Sequence, residues 1–330
     1  MRRTLYVSTL ALALTVIAAT TAAAQSAHAA ASLPLPAADA VLTLDVRALF
    51  NEVLPRALAS DKERLAQVTA DVEEFKARTG IDAREFDALA VGVRIVPLPS
   101  GATKLDRVTA VARGRFKPDA LVSAARAAAK GGLTEQTYGG KKVYVAAVND
   151  QIKLFGLAKM HVKELAFAVL DQNTLALGEP EDVRAAIDAQ AGRGRADLSM
   201  LNFPRGAGDF LAYAGNIPAG ALAGVETGLS ANVDRAVASI RGVYGTVGST
   251  PAGLQLMTSL RAGTSSDAKQ LYDVVNAMRQ IAPGLISMAG AKWGFARGLV
   301  DTLKVTTKGN EVQLRLEVPQ ADLATVLKAL

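Results

Sequence analysis

Residues 137–144 read TYGGKKVY, two adjacent glycines between two short arms that each carry a tyrosine. Glycine adopts the positive φ angles that a two-residue hairpin turn requires. The stretch therefore predicts a tight antiparallel hairpin. A second hairpin is predicted over residues 165–177, with its turn at Asp171, Gln172 and Asn173.

Helix and strand signals alternate on both sides of these hairpins. Residues 40–44 predict a strand, and Asp45 after it can cap a helix that extends to about residue 54. Apolar residues at spacings of three and four predict an amphipathic helix over 61–79, ended by Gly80. The other elements predicted in this half are strands over 86–96 and 107–116, a helix over 118–130 and a helix from residue 180.

A similar order of elements recurs after residue 206. The predicted elements are a strand over 209–216, a helix over 218–229, strands over 236–245 and 254–261, a helix over 265–280, a hairpin over 303–318 and a helix over 319–330. We therefore predict two tandem repeats, over 40–192 and 207–330, joined by a linker over 193–206. Chance recurrence of a common α+β pattern is the alternative.

Antiparallel hairpins combined with helices predict an α+β fold, with antiparallel sheets and the helices packed on one face. In its order of elements, and in patterns such as YGGKKVY over 138–144, the chain resembles exported bacterial proteins of uncharacterised function that are built from two α+β repeats. The resemblance extends over the chain after residue 29. The resemblance identifies no catalytic residue in this sequence.

The first 29 residues have the features of a cleavable signal peptide. Arg2 and Arg3 precede an uncharged run over 4–24, and residues 27–29, AHA, have the small-x-small pattern of a cleavage site. We therefore expect export to the periplasm or the cell exterior. Residues 30–39, which are small and rich in proline, are predicted to form an N-terminal tether.

The chain without its signal peptide is weakly basic. Removal of residues 1–29 takes away Arg2 and Arg3 and no acidic residue, so the formal charge falls from +6 to +4. Nucleic-acid binders cluster their basic residues and supply aromatic side chains for stacking, whereas aromatic residues are 5% of this chain. We expect no nucleic-acid partner.

The sequence offers few residues for catalysis or metal binding. It has no cysteine, and His161 is the one histidine left after signal-peptide removal. Cysteine–histidine catalysis and histidine-rich metal sites are thereby excluded, and we predict no metal, no cofactor and no catalytic residue. The densest acidic clusters, over 71–74 and 179–182, are predicted to serve helix solvation and capping.

Arginines on predicted strands are candidate anion ligands, provided that their side chains converge. Solvation of an outer sheet face is the alternative role. The candidates are Arg94, Arg113, Arg115, Arg241 and Arg261.

Residues 290–298, GAKWGFARG, contain three glycines at a spacing of four and the only tryptophan of the chain. On a helix over about 284–300, Gly290, Gly294 and Gly298 share one face and Trp293 lies on another. Such a helix is about 25 Å long, too short to cross a bilayer. We predict close packing on the second-half sheet, with a self-association face and a membrane contact as alternatives.

These observations favour a non-enzymatic binding or structural role in the cell envelope, with a protein, a lipid or a surface as partner, or with a homo-oligomer. A carrier of apolar molecules needs a concave sheet lined with aliphatic side chains. A scaffold needs an uncovered apolar patch of several hundred Å². The alternative function is an envelope hydrolase that uses two carboxylates, or serine with lysine, brought together by the fold.

Overall fold

The structure is a computed structural model that describes residues 32–79, 82–97, 103–129, 132–154, 158–225, 227–289 and 294–329. The predicted signal peptide, Gly80, Gly290 and Trp293 lie outside the described residues.

Twelve strands form one sheet in the described part of the chain, and every neighbouring pair is antiparallel. The strands are β1 (Ala40–Asp45), β2 (Phe86–Pro97), β3 (Thr103–Gly114), β4 (Leu133–Tyr138), β5 (Lys141–Leu154), β6 (Ala158–Asp171), β7 (Thr174–Gly178), β8 (Asp209–Asn216), β9 (Ile240–Thr250), β10 (Gly253–Ala262), β11 (Lys304–Lys308) and β12 (Glu311–Pro319). Their order across the sheet is β11-β12-β10-β9-β8-β1-β2-β3-β7-β6-β5-β4.

Helices connect and cover these strands, which confirms the α+β class. They are α1 (Lys62–Thr79), α2 (Pro118–Ala128), α3 (Pro180–Gln190), α4 (Ala231–Ala238), α5 (Ser265–Ala289), α6 (Gly294–Thr302) and α7 (Leu323–Ala329). A further helical stretch after β1 consists of Val46–Ala48, a π-helical turn over Leu49–Val53, and Leu54–Ala57.

Local sequence signals explain several of these elements. The first hairpin turns at Gly139 and Gly140, whose φ angles are 55° and 74°, as the sequence predicts. A side chain at Gly139 would also lie 2.9 Å from the Ile187 side chain of α3, so packing requires glycine there as well. Asp45 caps the stretch after β1, because its Oδ1 accepts a hydrogen bond from the Ala48 N–H at 2.8 Å.

The sheet has two apolar faces in its first half. Val143 and Val145 of β5 share a core with Leu33 and with α3, on what we call the front face. Tyr144, between them, packs instead against Phe167 and α2 on the back face. Consecutive residues of a strand point to opposite faces. Both faces are buried here because these consecutive residues all carry apolar or aromatic side chains.

The same alternation continues into the second half. On β9, Tyr244 packs against the front-face core. On β10, Leu260 and Ala262 pack with α5 on the back face. The prediction that helices pack on one face is therefore wrong for α3, because its apolar residues, Val183 and Ile187 among them, cover the front face.

The prediction of an N-terminal tether is wrong over residues 32–39. Leu33 and Leu35 are fully buried in the front-face core. Pro36 forms a bridge with Arg195, and the Ala196 N–H donates to the Leu35 carbonyl at 2.9 Å. The segment is held by residues about 160 positions away, a contact that its proline-rich composition does not reveal.

The predicted helix over 218–229 is also wrong. Gly220 and Gly228 adopt φ angles of 82° and 73°, which a right-handed helix does not accommodate. The helix of this region is α4, which begins after Ser230, and its presence removes residues 236–238 from the predicted strand. The Ser230 hydroxyl accepts a hydrogen bond from the Val233 N–H at 3.4 Å.

Helix α5 is longer than predicted. It continues from residue 280 through Pro283 to Ala289, and α6 follows as a separate helix from Gly294. Its first half packs on the sheet through Ala268 and Leu271. At 25 residues, α5 is about 37 Å long, so its last turns extend past the core that anchors its beginning.

The buried N-terminal segment generates a stability prediction. Leu35→Ala removes a fully buried side chain, and we expect the free energy of unfolding to fall by about 2–5 kcal/mol. Urea denaturation of the chain without residues 1–29 measures this change. Leu229→Ala, at a leucine that is 58% exposed, is the matched control and should change stability little. Equal stability of both variants would restore the tether interpretation.

Candidate functional site

The five candidate arginines do not converge. Arg94 lies on β2 and Arg261 on β10, with β1, β8 and β9 between those strands. Arg113 donates to the Ser32 hydroxyl at 3.0 Å, and Arg241 donates to the Ala238 carbonyl at 2.8 Å, at the end of α4. Arg115 is exposed after β3. Arg261 lines a cavity.

That cavity has a volume of ≈ 310 Å³ and lies where the segment between the two halves meets the second-half strands. Four strand residues form one wall: Asn216 of β8, Tyr244 of β9, Arg261 of β10 and Glu311 of β12. The cross-strand register explains their proximity, because Asn216 pairs with Gly242, Gly242 with Arg261, and Arg261 with Glu311.

The other wall is formed by residues 197–203. Leu198–Leu201 is a 3-10 helix, and the Asp197 carboxylate caps it by accepting a hydrogen bond from the Ser199 N–H at 2.9 Å. Leu201 is buried in the front-face core. The cavity residues of this wall are Asp197, Ser199, Met200, Asn202 and Phe203.

Aromatic contact joins the two walls. The rings of Phe203 and Tyr244 lie 4.9 Å apart at an interplanar angle of 35°. The Arg205 guanidinium stands 5.7 Å from the Phe203 ring centre on one side, and the Arg261 guanidinium stands 6.0 Å from the Tyr244 ring centre on the other. Cation–π attraction of this kind fixes ring orientation, so the cavity has a defined aromatic side.

A short polar chain crosses the strand wall. The Tyr244 hydroxyl donates to Glu311 Oε2 at 2.6 Å, and Glu311 Oε1 lies 3.8 Å from Arg261 Nε. Burial, and then the hydrogen bond to Glu311, raise the pKa of the Tyr244 phenol. On the other wall, hydrogen bonds from the Ser199 hydroxyl and N–H lower the pKa of Asp197. At neutral pH, Tyr244 is therefore a neutral donor and Asp197 an anion.

The acidic clusters lie elsewhere. Glu73 on α1 pairs with Arg84 at 2.6 Å, and the 71–74 cluster is solvent-exposed at Asp71, Glu73 and Glu74. In the 179–182 cluster, Asp182 is only 1% exposed and its Oδ1 accepts from Arg107 Nε at 2.7 Å. Two carboxylates do line the cavity, but Asp197 caps a helix and Glu311 accepts from Tyr244. Among the described residues, no three His, Cys, Asp or Glu side chains could together hold a metal ion.

A second surface feature lies on the back face, at the end of α5. Ile281 is 56% exposed, Leu285 54% and Met288 85%. The glycines of α6 are open as well, because a Cβ placed at Gly294 or Gly298 would meet no described atom within 4 Å. Gly294 and Gly298 are thus exposed to solvent, and close packing of the segment that also contains Gly290 and Trp293 stays a prediction.

No protein family model and no curated protein matches the sequence. Among solved structures, crystal form III of TP0453 is similar with a TM-score of 0.47 and 9% identity, covering 90% of this chain and 96% of that chain. Crystal form I of TP0453 is similar with a TM-score of 0.47 and 10% identity, covering 89% and 94%. Because both TM-scores are below 0.5, these similarities indicate nothing about a ligand or an activity of this chain.

Tyr244 and Glu311 were not among the candidates that the sequence indicates. Tyrosines are common on strands, so the position of Tyr244 does not distinguish it. Glu311 follows a hairpin turn at Lys308-Gly309-Asn310, which does not indicate a site either. The only signal toward their pairing with Arg261 is the strand register, which becomes visible once β12 is placed beside β10.

The open glycines of α6 generate a prediction. Gly298→Ala adds a methyl group into free space within a helix, and we expect the chain to become more stable by about 0.5–1 kcal/mol. Gly245→Ala is the contrasting variant, because its Cβ would lie 2.1 Å from the Met257 carbonyl oxygen, and it should destabilise. Thermal unfolding compares the two. Destabilisation by Gly298→Ala would support the close-packing prediction instead.

The raised pKa of Tyr244 generates a pH prediction. The folded chain holds the phenol proton more firmly than the unfolded chain does. The resulting stabilisation is complete below the ordinary tyrosine pKa of about 10 and is lost as pH rises through the raised value. Between about pH 9 and pH 11, the free energy of unfolding should therefore fall more steeply for wild type than for Tyr244→Phe.

Urea denaturation at each pH measures these slopes. Tyr272→Phe is the control, because it removes a hydroxyl from α5 on the other face of the sheet. Parallel pH dependence of wild type and Tyr244→Phe would show that the cavity hydroxyl does not titrate with a raised pKa.

Proposed function

We propose that this chain is an exported, non-enzymatic binding protein of the cell envelope that attaches to an anionic lipid surface through the end of α5. The observation that carries the proposal is the exposure of Ile281, Leu285 and Met288 on one stripe of that helix. Export is supported by the signal-peptide pattern of residues 1–29.

The apolar stripe is continuous along the helix. Leu271, Val274, Met278, Ile281, Leu285 and Met288 follow one another at alternating spacings of three and four. Leu271 and Val274 pack against the back-face core, whereas the last three side chains are exposed. The stripe that anchors α5 to the protein therefore continues outward as an uncovered apolar surface, which is typical of an interaction site.

The charge around this surface has one sign. Between Asp273 and Asp301 the sequence contains no acidic residue, but it contains Arg279, Lys292 and Arg297. Basic residues flanking exposed apolar side chains are the pattern of a helix that lies in the interface of an anionic membrane. Two copies of the same surface would bring like charges together, so the pattern favours lipid over self-association.

The two described arginines are bound only to neutral acceptors. Arg279 Nη1 donates to the Leu303 carbonyl at 3.0 Å. Arg297 Nη2 donates to the Ser287 hydroxyl and to the Pro283 carbonyl. Their positive charge is therefore not neutralised by any of the ion pairs formed among the described residues, and it remains available to phosphate groups.

Attachment in this proposal is peripheral. None of the helices in the described part of the chain is both long and apolar enough to cross a membrane. The cavity of the front face is lined mainly by polar side chains, so it does not resemble the aliphatic pocket that a carrier of apolar molecules needs. Attachment to a membrane surface explains the exposed stripe and requires neither a membrane-spanning helix nor an aliphatic pocket.

We also infer that the two halves arose by duplication. From the middle of the sheet outward, the strand order is β1, β2, β3, β7, β6 on one side and β8, β9, β10, β12, β11 on the other. Between the third strand and the final hairpin, the first half carries α2 with β4 and β5, and the second half carries α5 with α6. The proposed attachment segment thus lies where the halves differ.

Vesicle flotation tests the attachment. The chain without residues 1–29 should bind vesicles that contain phosphatidylglycerol and should leave pure phosphatidylcholine vesicles largely free. Leu285→Ser combined with Met288→Ser should weaken binding by at least about tenfold, because each buried large side chain contributes about 1.5–3 kcal/mol. High salt should weaken binding as well.

Leu229→Ser is the matched control, because Leu229 is as exposed as Leu285 but lies outside the stripe. Absence of binding to either vesicle, or undiminished binding of the double variant, would overturn the proposal. Vesicle-free dimerisation that the double variant abolishes would replace it with self-association.

A further inference from the structure

The front-face cavity combines one positive pole with two negative ones. Arg261 and Glu311 belong to the strand wall, and Asp197 belongs to the opposite wall. A cavity of ≈ 310 Å³ is at the lower end of the range for ligand sites, roughly 300–1,000 Å³. Its occupant would therefore be small and polar, and it would carry charge of both signs.

The donors of Arg261 are unused. Its Nε is shielded from solvent without a hydrogen-bond partner, since the 3.8 Å to Glu311 Oε1 is too long for a hydrogen bond. No hydrogen bond joins its guanidinium to another described residue. A planar guanidinium with free donors is suited to a carboxylate.

The acceptors of the cavity suit an ammonium group. Asp197 stays ionised at neutral pH because Ser199 donates to it. Glu311 uses Oε2 for Tyr244 and leaves Oε1 without a hydrogen bond among the described residues. The side-chain amides of Asn202 and Asn216 also line the cavity, and neither is hydrogen-bonded to another described residue. They can donate or accept beside either pole.

We propose that this cavity binds a small zwitterion of the α-amino acid class, with its carboxylate on Arg261 and its ammonium group facing Glu311 and Asp197. The two poles explain why a simple anion is not the best ligand: the two carboxylates of the lining would repel it. The proposal is independent of lipid attachment, because the cavity lies on the front face and the stripe of α5 on the back face.

Isothermal titration of the chain without residues 1–29 with each of the twenty L-amino acids tests the proposal. At least one should bind, and Arg261→Gln should weaken that binding by about tenfold or more, because a charge-assisted pair is lost. The matched control is Arg315→Gln. Arg315 lies on β12, on the same face of the sheet as Arg261 but outside the cavity, and this substitution should change affinity less than about twofold.

Two analogues of the strongest-binding amino acid separate the poles. The α-hydroxy acid lacks the ammonium group and the carboxamide lacks the carboxylate, so both should bind at least about tenfold more weakly. Circular dichroism confirms that the variants fold. The proposal is overturned if no amino acid binds, if Arg261→Gln binds as wild type does, or if the α-hydroxy acid binds equally well.

Discussion

The pairing of β1 with β8 is the contact on which the rest of the structure depends. These are the first strands of the two halves, and Leu42 lies opposite Tyr213 in an antiparallel register. Because β1 also pairs with β2, neither edge of this six-residue strand is free, and the sheet runs without a break from one half to the other. Both faces of β1 are consequently buried, with Val41 in the front-face core and Leu44 in the back-face core. The chain before β1 must then cross one face of a sheet that extends on both sides of it. That geometry is why Leu33 and Leu35 are core residues although their neighbours are prolines and small residues.

The same pairing places the cavity. After α3 the chain lies on the front face at the first-half side, and it has to return to β8 in the middle of the sheet. Residues 197–203 make this return, with Leu201 and Phe203 packed inward. Where the returning segment passes one end of the second-half strands, it covers Tyr244 but leaves Arg261 and Glu311 in an open recess. The recess therefore combines strand residues of the second half, Arg261 and Glu311 among them, with residues 197–203 of the segment that joins the halves.

The sequence predicts those parts of this arrangement that depend on neighbouring residues. Gly139 and Gly140 specify their turn through φ, Asp45 specifies a cap through its own side chain, and strand alternation is visible residue by residue. What escapes prediction depends on distant partners. The segment around Leu35 is held by Ala196, and α5 continues past Pro283 although proline favours a break. The apolar spacing over 218–229 suggests a helix that Gly220 and Gly228 prevent. Arg261 is recognisable as a strand arginine, but its partner Glu311 is 50 positions away, and only the register of β10 with β12 brings them together.

The front face is apolar in the first half and polar in the second half. This difference in polarity places the two proposed sites on opposite faces of the sheet. In the first half, Val143, Ala166 and Val111 make the front face apolar, so it must be covered, and α3 covers it. In the second half the front face of β10 and β12 carries Arg261, Gln313 and Arg315, while Leu260 and Val312 beside them point to the back. Water can solvate such a face, so only its margin is covered and the recess stays accessible. The back face of the same strands is apolar and anchors α5, whose stripe then continues into solvent. The ligand recess and the attachment stripe therefore share β10 and β12 but lie on opposite sides of them. Substitutions at Arg261 and at Met288 have no common contact, so their effects should add.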